Sequence, residues 1–205
     1  MKIKGNILIS RREFVVQRFG QHAWEAIVST LPEADQAVFA GLISSLGWYS
    51  FDLGRRLDQA IVDQLGNGDF RVFEHMGIAS AEQNLSTVHK LSIEHGNPQG
   101  FLGKSSVLYR FYYDVGRREY TPTGPTSGVI TTYDAETYST ADCMTVIGWY
   151  KQALKMCGAQ DVVMLEEVCR ARGGQFCRYT IAWKMKAQTG FLSESAPRGT
   201  NARSQ

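Results

Sequence analysis

The sequence predicts an α+β domain in which N-terminal helices pack on a small antiparallel sheet. Three observations predict it. Apolar residues recur at steps of three and four through much of the first 113 residues. Short β-prone runs bounded by turn residues gather in the last third. Helices grouped ahead of strands are the mark of an α+β layer arrangement, not of alternating βαβ units.

Taken in order, Ile3–Ile9 reads as a short strand or an extended lead-in. Ser10 and Glu13 form an S-x-x-E capping box ahead of Phe14, Val15 and Phe19, and Gly20 ends that helix. A second helix is expected over 21–29. A third follows with Pro32 in its first turn, running through Ala37, Val38 and Leu42. Trp48–Leu65 reads as a fourth, stopped by Gly66-Asn67-Gly68. The longest periodic stretch is Phe70–His95, carried by Phe73, Gly77, Ala81, Leu85, Val88 and Leu91 and ended by Gly96-Asn97-Pro98. Phe101–Tyr113 is a further, aromatic-rich helix. Arg118–Pro122 and Val129–Tyr133 read as strands around a Gly-Pro turn, Thr140–Cys157 as a helix, and Asp161–Cys169 with Phe176–Lys184 as a hairpin. The expected organisation is one domain over 1–186 and a disordered tail over 187–205, where Ser, Gly, Arg and Asn dominate.

Composition bounds the function. Hydrophobic residues make up 43% and charged residues 20%, ordinary for a globular chain that buries a sizeable core. A net charge of +2 gives no reason to expect a nucleic-acid partner. No apolar run reaches the length of a membrane span, and the first ten residues do not read as a signal peptide. Four cysteines in 205 residues do not make a secreted disulfide framework, so a cytoplasmic protein with reduced thiols is expected.

Three of those cysteines stand near the C-terminal end with an acidic neighbour: Cys143, Glu166, Cys169 and Cys177. Three thiolates and a carboxylate make a plausible four-coordinate zinc set. A three-residue loop at Arg172-Gly173-Gly174 places Cys169 opposite Cys177, about 4.5–5.5 Å apart between Cβ atoms on one face. Strand parity favours Glu167 as the carboxylate, and Glu166 would need a bulge before Cys169. Cys143 falls in the first turn of its helix, where backbone N–H groups favour a thiolate. It also belongs to an apolar stripe with Ile147, Tyr150, Leu154 and Cys157, so core packing is the alternative reading.

These residues carry a resemblance. The segment from Cys143 through GWYKQALKMCGAQDVVMLEEVCRARGGQFCRYTIAW resembles the 4-vinyl-reductase domain family, whose signature is matched here by Cys143, Gly148, Glu166, Cys169, Gly173 and Cys177. The segments GWYSFDLGRRLDQAI, ASAEQNLS and YRFYYDVGRREY resemble a myxobacterial-type family of unknown function. The wider superfamily includes heme nitric-oxide sensors and TRAPP vesicle-tethering subunits. The resemblance implies a ligand-binding fold around an apolar cavity, often a homodimer, with Cys143, Glu166, Cys169 and Cys177 holding a structural zinc. The heme sensors' Tyr-x-Ser-x-Arg motif is absent, and no heme is expected. His89 and His95 read as surface or capping residues, not as counterparts of the phenol sensors' ligand-anchoring histidine.

The leading functional expectation is therefore a non-enzymatic sensor domain that binds a small apolar or aromatic ligand and signals through a protein effector. Tyr109, Tyr112, Trp149 and Met164 are the expected pocket residues. The alternative is a TRAPP-like dimeric scaffold using the small residues Gly77, Ala79 and Ala81 as a helix-packing face. An enzyme is not expected, since no strand leads into G-x-G-x-x-G and no Ser-His-Asp set is evident. Two basic pairs, Arg55-Arg56 and Arg117-Arg118, suit an anionic group, although such pairs are more often solvated surface.

Overall fold

Helices come first and the main sheet second, as the periodicity predicts. The computed structural model describes residues 1–136 and 138–185. The tail expected over 187–205 lies outside the described residues. The helices are α1 (Gly5–Phe19), α2 (Gln21–Ser29), α3 (Glu33–Ala40), α4 (Phe51–Leu65), α5 (Arg71–Ser86), α6 (Pro98–Leu102), α7 (Ser105–Tyr112) and α8 (Thr140–Met156). The strands are β1 (Lys2–Lys4), β2 (Trp48–Ser50), β3 (Arg117–Gly124), β4 (Ser127–Tyr133), β5 (Ala159–Val168) and β6 (Cys177–Met185). Short strands β1 and β2 pair with each other, and the antiparallel four-stranded sheet runs in the order β3-β4-β6-β5.

Two hydrophobic clusters share the interior. One joins α1–α5 through Leu8, Trp24, Ile27, Leu57, Ile61 and Phe73. The other joins α8 to the sheet through Tyr150, Leu154, Ile130, Tyr179 and Ile181. On β6 the residues Cys177, Tyr179, Ile181 and Trp183 are buried at every second position, the alternation of a sheet with one face covered. All five residues of the stripe Cys143, Ile147, Tyr150, Leu154 and Cys157 are buried in this second cluster.

Several boundaries differ from expectation for local reasons. Helix α1 begins at Gly5, so Ser10 lies inside it and caps nothing; its hydroxyl instead meets Ser80 at 3.3 Å. Trp48–Ser50 is strand, not helix, and Ser50 caps α4 by accepting the Asp52 N–H. The periodic stretch from Phe70 stops at Ser86, because Val88 and Leu91 are exposed and bury no face. The helix expected over Phe101–Tyr113 is two pieces, α6 and α7, with Asn97 accepting the Gly100 N–H at the start of the first.

Helices α5 and α8 pack through two glycines. A Cβ on Gly148 would stand 1.9 Å from the Glu74 carbonyl oxygen, and one on Gly77 would stand 2.2 Å from that of Thr145. Lys151 bonds Glu74 at 2.6 Å along the same seam. Of the small residues Gly77, Ala79 and Ala81, Gly77 lies against α8 and Ala81 is fully buried within the chain.

Candidate functional site

The cysteine cluster is built by three elements. Ser139 accepts the Asp142 N–H through its side chain at 3.0 Å and the Cys143 N–H through its carbonyl, which fixes the first turn of α8. That turn aims Cys143 at the end of the β5–β6 hairpin, where its Sγ is 3.5 Å from that of Cys169 and 3.9 Å from that of Cys177. Glu166 pairs with Tyr179 and Val168 with Arg178, so Glu167 is the extra residue of a bulge. The bulge brings Cys169 onto the inward face that Glu166 shares with Met164, and leaves Glu167 exposed. Ligand atoms of Cys143, Glu166, Cys169 and Cys177 lie within 4.8 Å of one another, close enough to hold one metal ion.

Electrostatics differentiate the four groups. Cys143 is held far above the ordinary thiol range by its sulfur contacts with Cys169 and Cys177, with burial adding to them. The same contacts with Cys143 lower the other two thiols. Cys177 falls to about 7, with the Arg170 N–H also donating to its sulfur at 3.4 Å. The Glu166 carboxylate accepts from Arg172 at 2.8 Å through Oε2, whereas its buried Oε1 has no hydrogen-bond partner among the described residues. An orphaned buried acceptor among three sulfurs suits a cation.

A cavity of ≈ 60 Å³ lies beside this cluster, between α1, α5, α7, α8 and β3. Its aromatic wall is Tyr109, Tyr112, Tyr113, Trp149 and Tyr150. Its polar wall is Arg11, Ser80, Asn84, Arg118, Asp142 and Thr145. Half-buried Ile7, Tyr112 and Thr145 stand toward the outside, and Arg118, Asp142, Tyr113 and Tyr150 form the buried floor. Arg11 bonds Asp58 at 3.1 Å and Thr145 at 3.1 Å, and Tyr113 donates to Asp142 at 2.7 Å. Burial raises the Asp142 carboxyl above its usual range, and burial likewise raises the Tyr113 hydroxyl. Of the expected pocket residues, Tyr109, Tyr112 and Trp149 meet on this cavity, while Met164 sits in the sheet cluster away from it.

Sequence reasoning named Arg118 only as half of a basic pair and favoured solvated surface for it. Adjacent strand residues face opposite sides, so one arginine of the pair 117–118 had to point inward. Arg117 is exposed and bonds Glu119 and Asp134; Arg118 is 6% exposed. In the other basic pair, Arg55 bonds exposed Asp52 and Arg56 bonds Asp35. Arg118 and Asp142 also line a second gap of ≈ 10 Å³ together with Cys143, Cys177 and Tyr179, so the cavity floor adjoins the thiol cluster.

No protein-family model matches the chain, and no curated protein matches it. Solved structures do. An Fe(II) unliganded H-NOX protein from K. algicida superposes with a TM-score of 0.69 at 14% identity, covering 90% of this chain and 98% of that one. An H-NOX protein from S. oneidensis in the Fe(II)NO ligation state gives 0.67 at 14% identity, covering 88% and 99%. A third structure, titled for heme redox potential and porphyrin distortion, gives 0.61 at 11% identity, covering 87% and 99%.

These findings correct the expected structural zinc. The structures that share the fold are named for Fe(II) and heme. The donor set does not rescue the expectation, because thiolate-rich tetrahedral sites accept iron as well as zinc.

Heme does not fit the residues present here either. Cofactor-sized sites run to about 300–1,000 Å³, against the ≈ 60 Å³ of this cavity. Among the described residues no histidine, cysteine or methionine lines it. Three of its tyrosine hydroxyls are engaged, by the Val115 carbonyl, Asp142 and His89. His89 is the half-buried histidine nearest this region. Its Nε2 is tied to the Tyr112 hydroxyl at 3.0 Å and its ring packs on Phe111, while burial lowers its pKa. The other histidines, His22, His75 and His95, are exposed. The chain has the α+β fold of these H-NOX structures, with an interior cavity of ≈ 60 Å³ lined by aromatic and polar side chains.

Proposed function

We propose that this chain is a non-enzymatic small-molecule-binding domain that regulates a partner protein. The observation that carries the reading is the cavity, where a mostly apolar wall ends on a few buried polar groups. That is the composition of a binding site. The similarity of fold to H-NOX proteins supports a sensing role, and the resemblance of the C-terminal segment to the 4-vinyl-reductase family supports a ligand other than heme. An engineered apolar cavity of about 150 Å³ holds benzene, so the buried part of this ligand is smaller than a benzene ring. Any ring it carries lies toward Ile7 and Tyr112. Signalling would run through α8, which contributes Asp142 and Trp149 to the cavity and Cys143 to the thiol cluster.

Cavity filling tests this. Val146 lines the cavity and makes no side-chain hydrogen bond, so Val146→Leu adds a methylene there. Small compounds that raise the melting temperature of the native chain are expected to lose at least half of that shift in the variant. An unchanged shift in a folded variant would place their binding elsewhere.

In the same reading, Cys143, Glu166, Cys169 and Cys177 form one thiophilic metal centre that ties α8 to the hairpin. The orphaned Glu166 Oε1 supports it. Titration with Co²⁺ is expected to give sulfur-to-metal absorbance saturating at about one ion per chain, and Cys169→Ser is expected to abolish most of it. A folded chain without that absorbance would remove the metal from the account.

A further inference from the structure

We infer that the ligand of this cavity carries a carboxylate and that Arg118 receives it. The inference rests on the small-molecule reading above and names its substrate class. Arg118 projects from β3 into the cavity floor and is 6% exposed. A guanidinium stays charged in proteins, and a buried charge ordinarily has an oppositely charged partner. Arg11, the other buried arginine on this wall, follows that rule through Asp58. Arg118 does not. Among the described residues no carboxylate oxygen lies within 4.0 Å of its nitrogens.

The groups in direct contact with Arg118 are neutral, and Asp142 acts on it only through space across the floor. Its Nε donates to the Thr132 hydroxyl at 2.9 Å, and it stacks on Tyr109 at 4.9 Å and Tyr150 at 5.6 Å. Asp142, the one carboxylate on the cavity wall, is engaged by the Tyr113 hydroxyl. The cavity wall therefore presents two arginines and one aspartate, and the counter-charge of Arg11 sits behind it on Asp58. Arg118 thus has no direct anionic partner among the described residues, a place that a planar anion would fill.

A carboxylate matches on three counts. It is flat, as the guanidinium is. It accepts two parallel N–H bonds from a guanidinium. Its few atoms fit a cavity of ≈ 60 Å³, whereas a larger oxyanion such as a phosphate ester would need the wall to open. The carboxylate end would enter first, leaving the remainder of the molecule against Tyr112 and Ile7 near the outside.

The test uses matched pairs, acetate with acetamide and benzoate with benzamide, titrated against the full chain by isothermal calorimetry at fixed ionic strength. Within at least one pair the carboxylate is expected to bind about tenfold or more tighter than its neutral isostere. Arg118→Gln should remove that preference, and Arg118→Lys should restore part of it by keeping the charge without the fork. Thermal melts of both variants establish that they fold. If Arg118→Gln does not fold, Arg118→Lys alone decides, since an undiminished preference in that variant would rule out the bidentate contact. Equal binding of acid and amide would overturn the carboxylate inference and leave the small-molecule reading standing. Binding of neither pair, with Val146→Leu also insensitive to every compound tried, would overturn both.

Discussion

Gly148→Ala is expected to destabilise the domain by about 3–5 kcal/mol, measured by urea unfolding, or to prevent folding altogether. The cause is steric and local. The new methyl would sit 1.9 Å from the Glu74 carbonyl oxygen, which is backbone and cannot rotate away. Separating α5 from α8 to make room would loosen the seam on which Lys151 and Glu74 meet. It would also shift Trp149 and Thr145 on α8 away from Ser80 and Asn84 on α5, and these four line the cavity. Gly77→Ala should behave similarly, with its methyl 2.2 Å from the Thr145 carbonyl. A loss below about 1 kcal/mol for both would mean that the helices are not in backbone contact.

Arg11→Met is expected to cost about 3–5 kcal/mol, because it leaves Asp58 charged and unpaired in the interior. Both partners are nearly inaccessible, at 4% and 9% side-chain exposure. The double variant Arg11→Met/Asp58→Leu should recover much of that loss, since replacing a buried pair by packed apolar groups is often close to neutral. Recovery separates the burial penalty from any intrinsic need for the ion pair. If the double variant is as unstable as the single one, Arg11 contributes chiefly through Thr145 and its packing on Phe73.

The α+β arrangement was legible because long helices and a covered sheet each impose a period. Helix α8 and strand β6 keep theirs over 17 and 9 residues, and both lie close to where the periodicity placed them. Strands β1 and β2 have only 3 residues each, too few to display a period, so β2 was absorbed into the helix that follows it. Val88 and Leu91 continued an apolar repeat that buries nothing. Spacing alone cannot distinguish an exposed apolar residue from a core one.

The cysteine cluster was legible from residue type and spacing. Between Glu166 and Glu167, strand parity pointed to Glu167 and the resemblance to Glu166; the bulge that parity cannot foresee places Glu166 in the cluster. The cavity was half legible. Aromatic residues on α7 and α8 were visible candidates, yet Met164 has the same apolar character and faces a different cluster. Arg118 was hidden for a different reason: next to Arg117 it looks like solvated surface, and only the alternation of a strand sends it inward.

The most direct test of the central claim is native mass spectrometry of the purified full chain, compared with the same sample under denaturing conditions. The account predicts a non-covalent mass increment of a small organic molecule, lost on denaturation and absent or sharply reduced in folded Val146→Leu. A native mass equal to the denatured mass, unchanged after addition of acetate, benzoate and their amides at millimolar concentration, would contradict the assignment of this chain as a small-molecule-binding domain.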